Sequence, residues 1–104
     1  MPRKKASRRA ESDSTDGWGF LNNYTHVVIL IAKNPLILQR VIADRIGITE
    51  RAVQRIVADL EKGGYLTRQR SGRSNRYEIQ LQHKLCDQAC GHVSLGEFIK
   101  LLQE

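Results

Sequence analysis

The chain has 104 residues, of which 40% are hydrophobic, which is enough for one domain with one core and not for two. It carries 17 Lys and Arg residues against 11 Asp and Glu residues, and the resulting formal charge of +6 favours an anionic partner. The longest apolar run, residues 27–32, is far too short to cross a bilayer, so we expect no membrane partner.

Residues 1–17 are rich in Lys, Arg, Ser and Asp, with almost nothing to bury, which predicts a basic disordered tail. The tail either reaches into a DNA minor groove or serves only to solubilise the protein. Its basic residues are Arg3, Lys4, Lys5, Arg8 and Arg9. The basic start is followed by Ser and Asp rather than by the apolar stretch of a signal peptide, so we expect a cytoplasmic, nucleoid-associated protein.

The first helix should start at Asn22 or Asn23, either of which can cap it, and run to Lys33 before Asn34 and Pro35 stop it. Its residues 27–32 are apolar all round. A helix without a polar face must be covered on both sides, which in so short a chain suggests a partner subunit as the second cover.

Two further helices are predicted at residues 38–45 and 49–62, separated only by Ile46, Gly47 and Ile48. Thr49 can cap the third helix, and Gly63 with Gly64 ends it. Two stripes run along this helix at helical spacing. The apolar stripe comprises Val53, Ile56, Val57 and Leu60, and the opposite stripe comprises Arg51, Gln54, Arg55 and Ala58.

The outward stripe has the chemistry of a base reader. An Arg can donate two hydrogen bonds to guanine, and a Gln can form two hydrogen bonds with adenine. A small Ala lets a helix approach the groove closely. The ordinary alternative for a charged stripe is a solvated helix face. The short turn between two helices favours DNA contact over that alternative.

A β hairpin follows the third helix. Tyr77, Ile79 and Leu81 alternate with polar residues as in a half-buried strand, and residues 65–70 are its predicted antiparallel mate. Residues 71–75 have the composition of the connecting loop.

The last helix is signalled by Ser94 and Glu97 at the spacing of a capping box. Its apolar stripe is Leu95, Phe98, Ile99 and Leu102. Because so short a helix is not stable alone, it must dock on the first helix of its own chain or on a second chain.

Several of these positions resemble a helix-turn-helix: Ile42, Ala43, Ile46, Gly47, Ile48, Val53 and Ile56. Further residues extend the likeness: Gly64, Tyr65, Leu66, Arg70, Gly72, Arg73, Arg76 and Tyr77. Together they look like the winged helix-turn-helix of the MarR and ArsR families of prokaryotic regulators, over residues 22–81.

The resemblance implies a mostly α fold with a small antiparallel β hairpin: a three-helix core, a β wing and an additional C-terminal helix. The expected layout is a tail (1–17), a winged helix-turn-helix DNA-binding domain (18–82) and a C-terminal linker with a docking helix (83–104). It further implies a homodimer, formed through the first and last helices, that reads paired half-sites of double-stranded DNA.

The resemblance also assigns the DNA-binding residues. Helix 49–62 would enter the major groove, and the wing, residues 70–76, would reach the backbone or minor groove. The recognition helix carries Thr49, Glu50, Arg51, Gln54 and Arg55. The wing carries Arg70, Arg73, Ser74, Asn75 and Arg76. Thr49 would bind a phosphate, and Glu50 would accept from a cytosine amine or cap the helix.

Two alternatives stay open at this point. A winged helix can serve as a protein-interaction module without reading DNA. A metal-responsive regulator would instead use His83, Cys86, Cys90 and His92. In a reducing compartment, free thiols or a metal are expected in preference to a disulfide. Because the spacing of these four residues matches no standard zinc site, free thiols are favoured over a metal, and we expect no metal or cofactor. No phosphate loop or nucleophile motif is present, so we expect no enzyme.

Overall fold

The computed structural model describes residues 20–103 apart from residues 73 and 87. In this part of the chain the elements are α1 (Asn23–Lys33), α2 (Gln39–Ile46), α3 (Glu50–Lys62), β1 (Leu66–Ser71), β2 (Ser74–Ile79) and α4 (Leu95–Gln103). The predicted fold class, helices with one antiparallel hairpin, is confirmed. The basic tail lies outside the described residues, as does Arg73.

The helix starts follow local side-chain chemistry. The Asn22 carboxamide oxygen accepts from the Thr25 amide at 3.1 Å, and the Thr49 hydroxyl accepts from the Ala52 amide at 3.0 Å. At α4, the Ser94 amide donates to the Glu97 carboxylate at 2.9 Å, and the Glu97 amide donates to the Ser94 hydroxyl at 3.2 Å. This reciprocal pair is the predicted capping box.

A tight turn joins α2 to α3. Gly47 has a φ of +86°, a conformation that side chains with a Cβ rarely adopt, and the amides of Gly47 and Ile48 both donate to the Ala43 carbonyl. Three residues of the two helices, Ile42, Val53 and Val57, are completely buried in the core cluster. The apolar stripe of α3 therefore fixes its orientation against α2.

The hairpin differs from the sequence prediction in its turn. The strands pair from Leu66 with Ile79 to Ser71 with Ser74, so only two residues of the sequence lie between them. The prediction of a loop at residues 71–75 was wrong, and β2 ends before Leu81. The physical reason is that Gly72, with a φ of +63°, permits a tight reversal of the chain, while Ser and Asn are tolerated at a strand end as well as in a loop.

Hydrogen bonds dock the hairpin on the helices. The Tyr77 amide donates to the Pro35 carbonyl at 3.0 Å, between α1 and α2. The buried Tyr77 hydroxyl accepts from the carboxamide of Gln39 at 3.0 Å and from that of Asn75 at 3.4 Å. The wing is thus fixed to the start of α2 by a polar contact as well as by burial of Leu66 and Tyr77.

The last helix packs against the core of its own chain. Leu95 and Ile99 of α4 belong to the buried core, and a cavity of about 290 Å³ is lined by residues of α1, including Val28 and Ile29, and by Phe98 of α4. In the apolar run of α1, Val27, Val28 and Ile31 are buried, and the other three residues are partly buried. No helix in the described ranges has the length and apolar character to cross a membrane.

Candidate nucleic-acid interface

Helix α3 separates its two stripes completely. The four apolar residues of the inner stripe are buried: Val53, Ile56, Val57 and Leu60. The four residues of the outer stripe are exposed: Arg51, Gln54, Arg55 and Ala58. The sequence therefore places two guanidinium groups and one carboxamide in solvent on the helix that the core holds most firmly.

The start of α3 carries two further candidates. Thr49 and Glu50 are both exposed. The Thr49 hydroxyl oxygen is occupied by the Ala52 amide, but a hydroxyl that accepts a hydrogen bond still has its own hydrogen to donate. Glu50 lies in the first turn, where its charge is favourable to the helix dipole.

A polar groove joins the outer face of α3 to the wing. The groove encloses about 500 Å³ and is lined by Gln39, Gln54, Arg68, Arg70 and Asn75. Three of these were predicted from the sequence: Gln54, Arg70 and Asn75. Among the described residues, its lining contains two guanidinium groups and no carboxylate, although Arg68 forms an ion pair with Glu61 at 3.0 Å at the edge of the wing. Such a concave, hydrogen-bond-donating surface suits a phosphate backbone.

Other predicted residues lie elsewhere. Glu50, Ser74 and Asn75 share a smaller cleft of about 190 Å³ with the start of α2. Arg76 pairs with Gln69 in the hairpin and shares with it a third cavity, on the side that faces the ends of α1 and α4. The structure thus brings Gln54, Arg70 and Asn75 together and separates Arg76 from them.

Arg55 has a charged neighbourhood of its own. The Tyr24 hydroxyl of α1 donates to the Asp59 carboxylate of α3, and this hydrogen bond, with desolvation and the charge of Asp59, raises the pKa of Tyr24. The positive charge of Arg55 acts in the opposite direction on Tyr24. The guanidinium group of Arg55 is therefore exposed to a partner, but its charge is partly balanced by the Asp59 carboxylate one turn away.

The cysteines correct one expectation. Cys86 and Cys90 form a disulfide, with Cα atoms 5.6 Å apart, so the prediction of free thiols or a metal was wrong. The separation of the two Cα atoms lies in the range that a disulfide requires, whereas the prediction reasoned from the expected compartment alone. Within the described part of the chain, no three His, Cys, Asp or Glu residues are placed to hold a metal ion.

His83 is used structurally. Its Nδ1 lies 2.8 Å from the Lys84 carbonyl oxygen, its Nε2 lies 3.0 Å from the Gly63 carbonyl oxygen, and its ring packs on Tyr65 with centroids 4.2 Å apart. His92, the other histidine of the metal hypothesis, is exposed. The ring of His83 thus binds the end of α3 to the segment that follows the wing.

Sequence reasoning missed two residues of this groove: Gln39 and Arg68. Arg68 was detectable, because it lies two residues from Arg70 in a predicted strand and so shares a face with it. Gln39 carries no local signal, since its contact with Tyr77 joins residues that are distant in the sequence.

A comparison with known protein families decides the identity. The family model described as MarR family matches residues 18–76, more than half of the chain. The chain belongs to the MarR family. MarR proteins are DNA-binding transcription regulators rather than enzymes, and they bind DNA typically as dimers. Of the two families that the sequence resembles, this match supports MarR. No curated protein matches the chain.

Proposed function

We propose that this MarR protein is a sequence-specific regulator that reads double-stranded DNA with α3 and holds the flanking backbone or minor groove with its wing. The observation that carries the proposal is the continuity of donor groups from the outer face of α3, through Gln54, into the groove formed with Arg68 and Arg70. One rigid helix offers base-reading groups, and the adjoining concave surface offers phosphate-binding groups.

The dimensions agree with this reading. Helix α3 has 13 residues, which is about 20 Å, and a major groove about 12 Å wide admits its N-terminal half obliquely. That half presents Arg51, Gln54 and Arg55. We assign these three to base contacts, with Glu50 accepting from a cytosine amine and Thr49 donating to a phosphate.

The wing is assigned to the backbone. Phosphate contacts fix register and orientation, whereas base contacts specify sequence. The residues proposed for this role are Arg70, Arg73, Ser74, Asn75 and Arg76, and the groove adds Gln39 and Arg68. We expect the arginines to strengthen binding to all sequences alike.

We also propose a homodimer through α1 and α4, in the cytoplasm and associated with the nucleoid. Support comes from apolar side chains that the monomer leaves in solvent near the end of α4: Leu101 is 71% exposed and Leu102 is 41% exposed. A twofold axis through these helices would present two copies of α3 to two half-sites about one turn apart.

The test is selection of binding sites from random double-stranded DNA, followed by affinity measurements across a salt series. We expect a palindromic site to be enriched. Neutralising about four phosphates per subunit would give a slope of log affinity against log salt of about −3.6 per half-site. Arg55→Ala should lower the affinity for the selected site by about tenfold and relax base preference, at about 1–3 kcal/mol per lost base contact. Arg70→Ala should weaken all sequences alike and reduce the slope by about one unit.

Lys84→Ala is the matched control, because it removes one positive charge from an exposed position outside the groove and outside the two helices proposed for the dimer. It should change neither sequence preference nor affinity for the selected site appreciably. Absence of any enriched sequence at low and moderate salt would contradict the proposal and favour the interaction-module reading. Equal effects of Arg55→Ala and Lys84→Ala would remove the assignment of Arg55.

A further inference from the structure

The segment after the wing forms a closed loop. Lys84 and Ser94 form a β bridge, and the Leu85 amide donates to the Val93 carbonyl at 3.1 Å. The two ends of the segment 84–94 therefore lie side by side. We call residues 84–94 the cysteine loop, because the disulfide between Cys86 and Cys90 lies just beyond its base. The bond therefore closes the chain immediately next to this bridge.

The base of the cysteine loop sets the position of α4. The Leu95 amide donates to the His83 carbonyl and the Gly96 amide donates to the Leu81 carbonyl, each at 2.8 Å. Beyond these bonds, α4 enters the buried core through Leu95 and Ile99. A helix with two buried residues depends on the segment before it for its placement.

The same base contacts the recognition helix. His83 lies against the Gly63 carbonyl at the end of α3, and Leu85 packs on the core and lines the cavity that Leu60 of α3 also lines. Cys86 follows Leu85 directly in the sequence. The disulfide thus lies between the element that would read DNA and the helix that we propose for the dimer.

Within the described residues of the loop, the Gly91 amide donates to the Gln88 carbonyl and the Val93 amide donates to the Cys90 carbonyl, each at a long 3.3 Å. Leu85 is partly buried, but Val93 is exposed. Segments with few buried apolar contacts open locally at low free-energy cost. A covalent bond across such a loop therefore contributes a large share of its order. Cys86 and Cys90 are themselves only partly buried, so a small thiol can reach the sulfur atoms.

We propose that Cys86 and Cys90 form a reversible thiol–disulfide site that exchanges with low-molecular-weight thiols and controls the docking of α4. In reduction, the thiolate of one small thiol attacks a cysteine sulfur, the S–S bond breaks, and a mixed disulfide forms with one protein thiol released. A second small thiol then attacks the mixed disulfide. The sum converts one protein disulfide and two small thiols into two protein thiols and one small-molecule disulfide.

The oxidised state holds the cysteine loop closed and α4 docked, and the reduced state frees both. This step goes beyond the proposed function. Its consequence for DNA rests on that function: if α4 forms the dimer, reduction weakens binding to paired half-sites. The docking of α4 itself is independent of any DNA partner.

The experiment measures hydrogen exchange of the full chain after equilibration with oxidised or reduced glutathione, with the redox state followed by the gain of two hydrogens in intact mass. We expect amides of residues 95–103 to exchange about tenfold faster in the reduced protein, because closing even a short loop stabilises it. Amides in the middle of α3 should keep their rates. The Cys86→Ser/Cys90→Ser double variant should behave as reduced protein in both buffers.

Ala89→Ser is the matched control, since it places a serine in the same loop without touching the bond. Its hydrogen exchange at residues 95–103 should depend on the redox state as it does in the parent protein. Equal exchange rates at residues 95–103 in the two states would overturn the proposal, and so would a bond that millimolar glutathione leaves intact or cysteines that never pair in oxidised glutathione. Should the double variant fail to fold, reduced parent protein provides the same comparison. A redox-dependent exchange rate without DNA binding would support this site while contradicting the proposed function.

Discussion

The helix-turn-helix and the wing are held in place by different forces. Helices α2 and α3 are joined by fully buried aliphatic side chains, among them Ile42, Val53 and Val57. The wing contributes Leu66 and Tyr77 to the core, and hydrogen bonds at Tyr77 determine how it meets the helices. The two halves of the proposed interface are therefore fixed to different degrees.

This difference has a physical meaning for recognition. Close packing resists displacement in every direction, because each shift opens a void or creates an overlap. A few hydrogen bonds resist displacement mainly along their own directions. In the proposed function, base contacts, which need exact placement, would therefore come from the packed helix, and backbone contacts, which tolerate adjustment, would come from the wing.

The largest expected effect on stability comes from a substitution in the tightly packed helix-turn-helix. Ile42→Ala should lower the free energy of unfolding by about 3 kcal/mol, since it removes a completely buried side chain and leaves a cavity between α2 and α3. Urea denaturation measures the loss. Leu36→Ala, at a position that is 55% exposed, is the control and should cost less than about 1 kcal/mol. Similar losses in the two variants would show that packing at Ile42 does not govern the helix-turn-helix.

A smaller effect on stability is expected from a substitution that breaks the hydrogen bonds of the wing. Tyr77→Phe removes the hydroxyl that accepts from Gln39 and Asn75, which should cost about 1 kcal/mol. The change should appear as faster hydrogen exchange in β1 and β2, with α2 and α3 unaffected. Tyr65→Phe is the control, because the Tyr65 hydroxyl makes no hydrogen bond to the described residues. Uniform acceleration across the helices would show that the wing and the helix-turn-helix form one cooperative unit.

The smallest effect concerns the exposed bond between α1 and α3, which belongs to neither half. The Asp59 carboxylate accepts from Tyr24 and so raises the pKa of the phenol above its ordinary value of 10.0. A raised pKa in the folded state means that the bond stabilises the fold below pH 10.0 and that this contribution is lost as the pH rises through the raised value.

Absorbance of tyrosinate during an alkaline titration measures this group. Tyr24→Phe should remove the component that titrates above the ordinary pKa, and Asp59→Asn should shift it down toward the ordinary value. Tyr65→Phe should leave the component in place. If a component with a raised pKa still titrates in the Tyr24→Phe protein, the raised pKa belongs to another tyrosine.

The helices could be predicted from the sequence because their signals are local. Asn22, Thr49 and Ser94 cap helices through atoms within three residues, and the stripes of α3 follow from its own periodicity. The exposed face with Arg51, Gln54 and Arg55 could be predicted from the same periodicity.

The remainder depends on contacts between distant parts of the chain. The register of the hairpin is set by how β2 meets Pro35 and Gln39, and no pattern within residues 71–75 contains that information. The groove likewise needs α2, α3 and the wing together. The disulfide was missed for another reason: the spacing of Cys86 and Cys90 was compatible with a bond, and a general expectation about compartments was given more weight.

The bond from the Tyr77 amide to the Pro35 carbonyl also orders events during protein synthesis. Helices α1, α2 and α3 precede the wing in the chain, so their mutual contacts can form while the wing is still inside the ribosome. Until β2 emerges, the Pro35 carbonyl lacks its Tyr77 donor. A nascent chain paused at the end of α3 would therefore expose the part of the core that Leu66 and Tyr77 later cover.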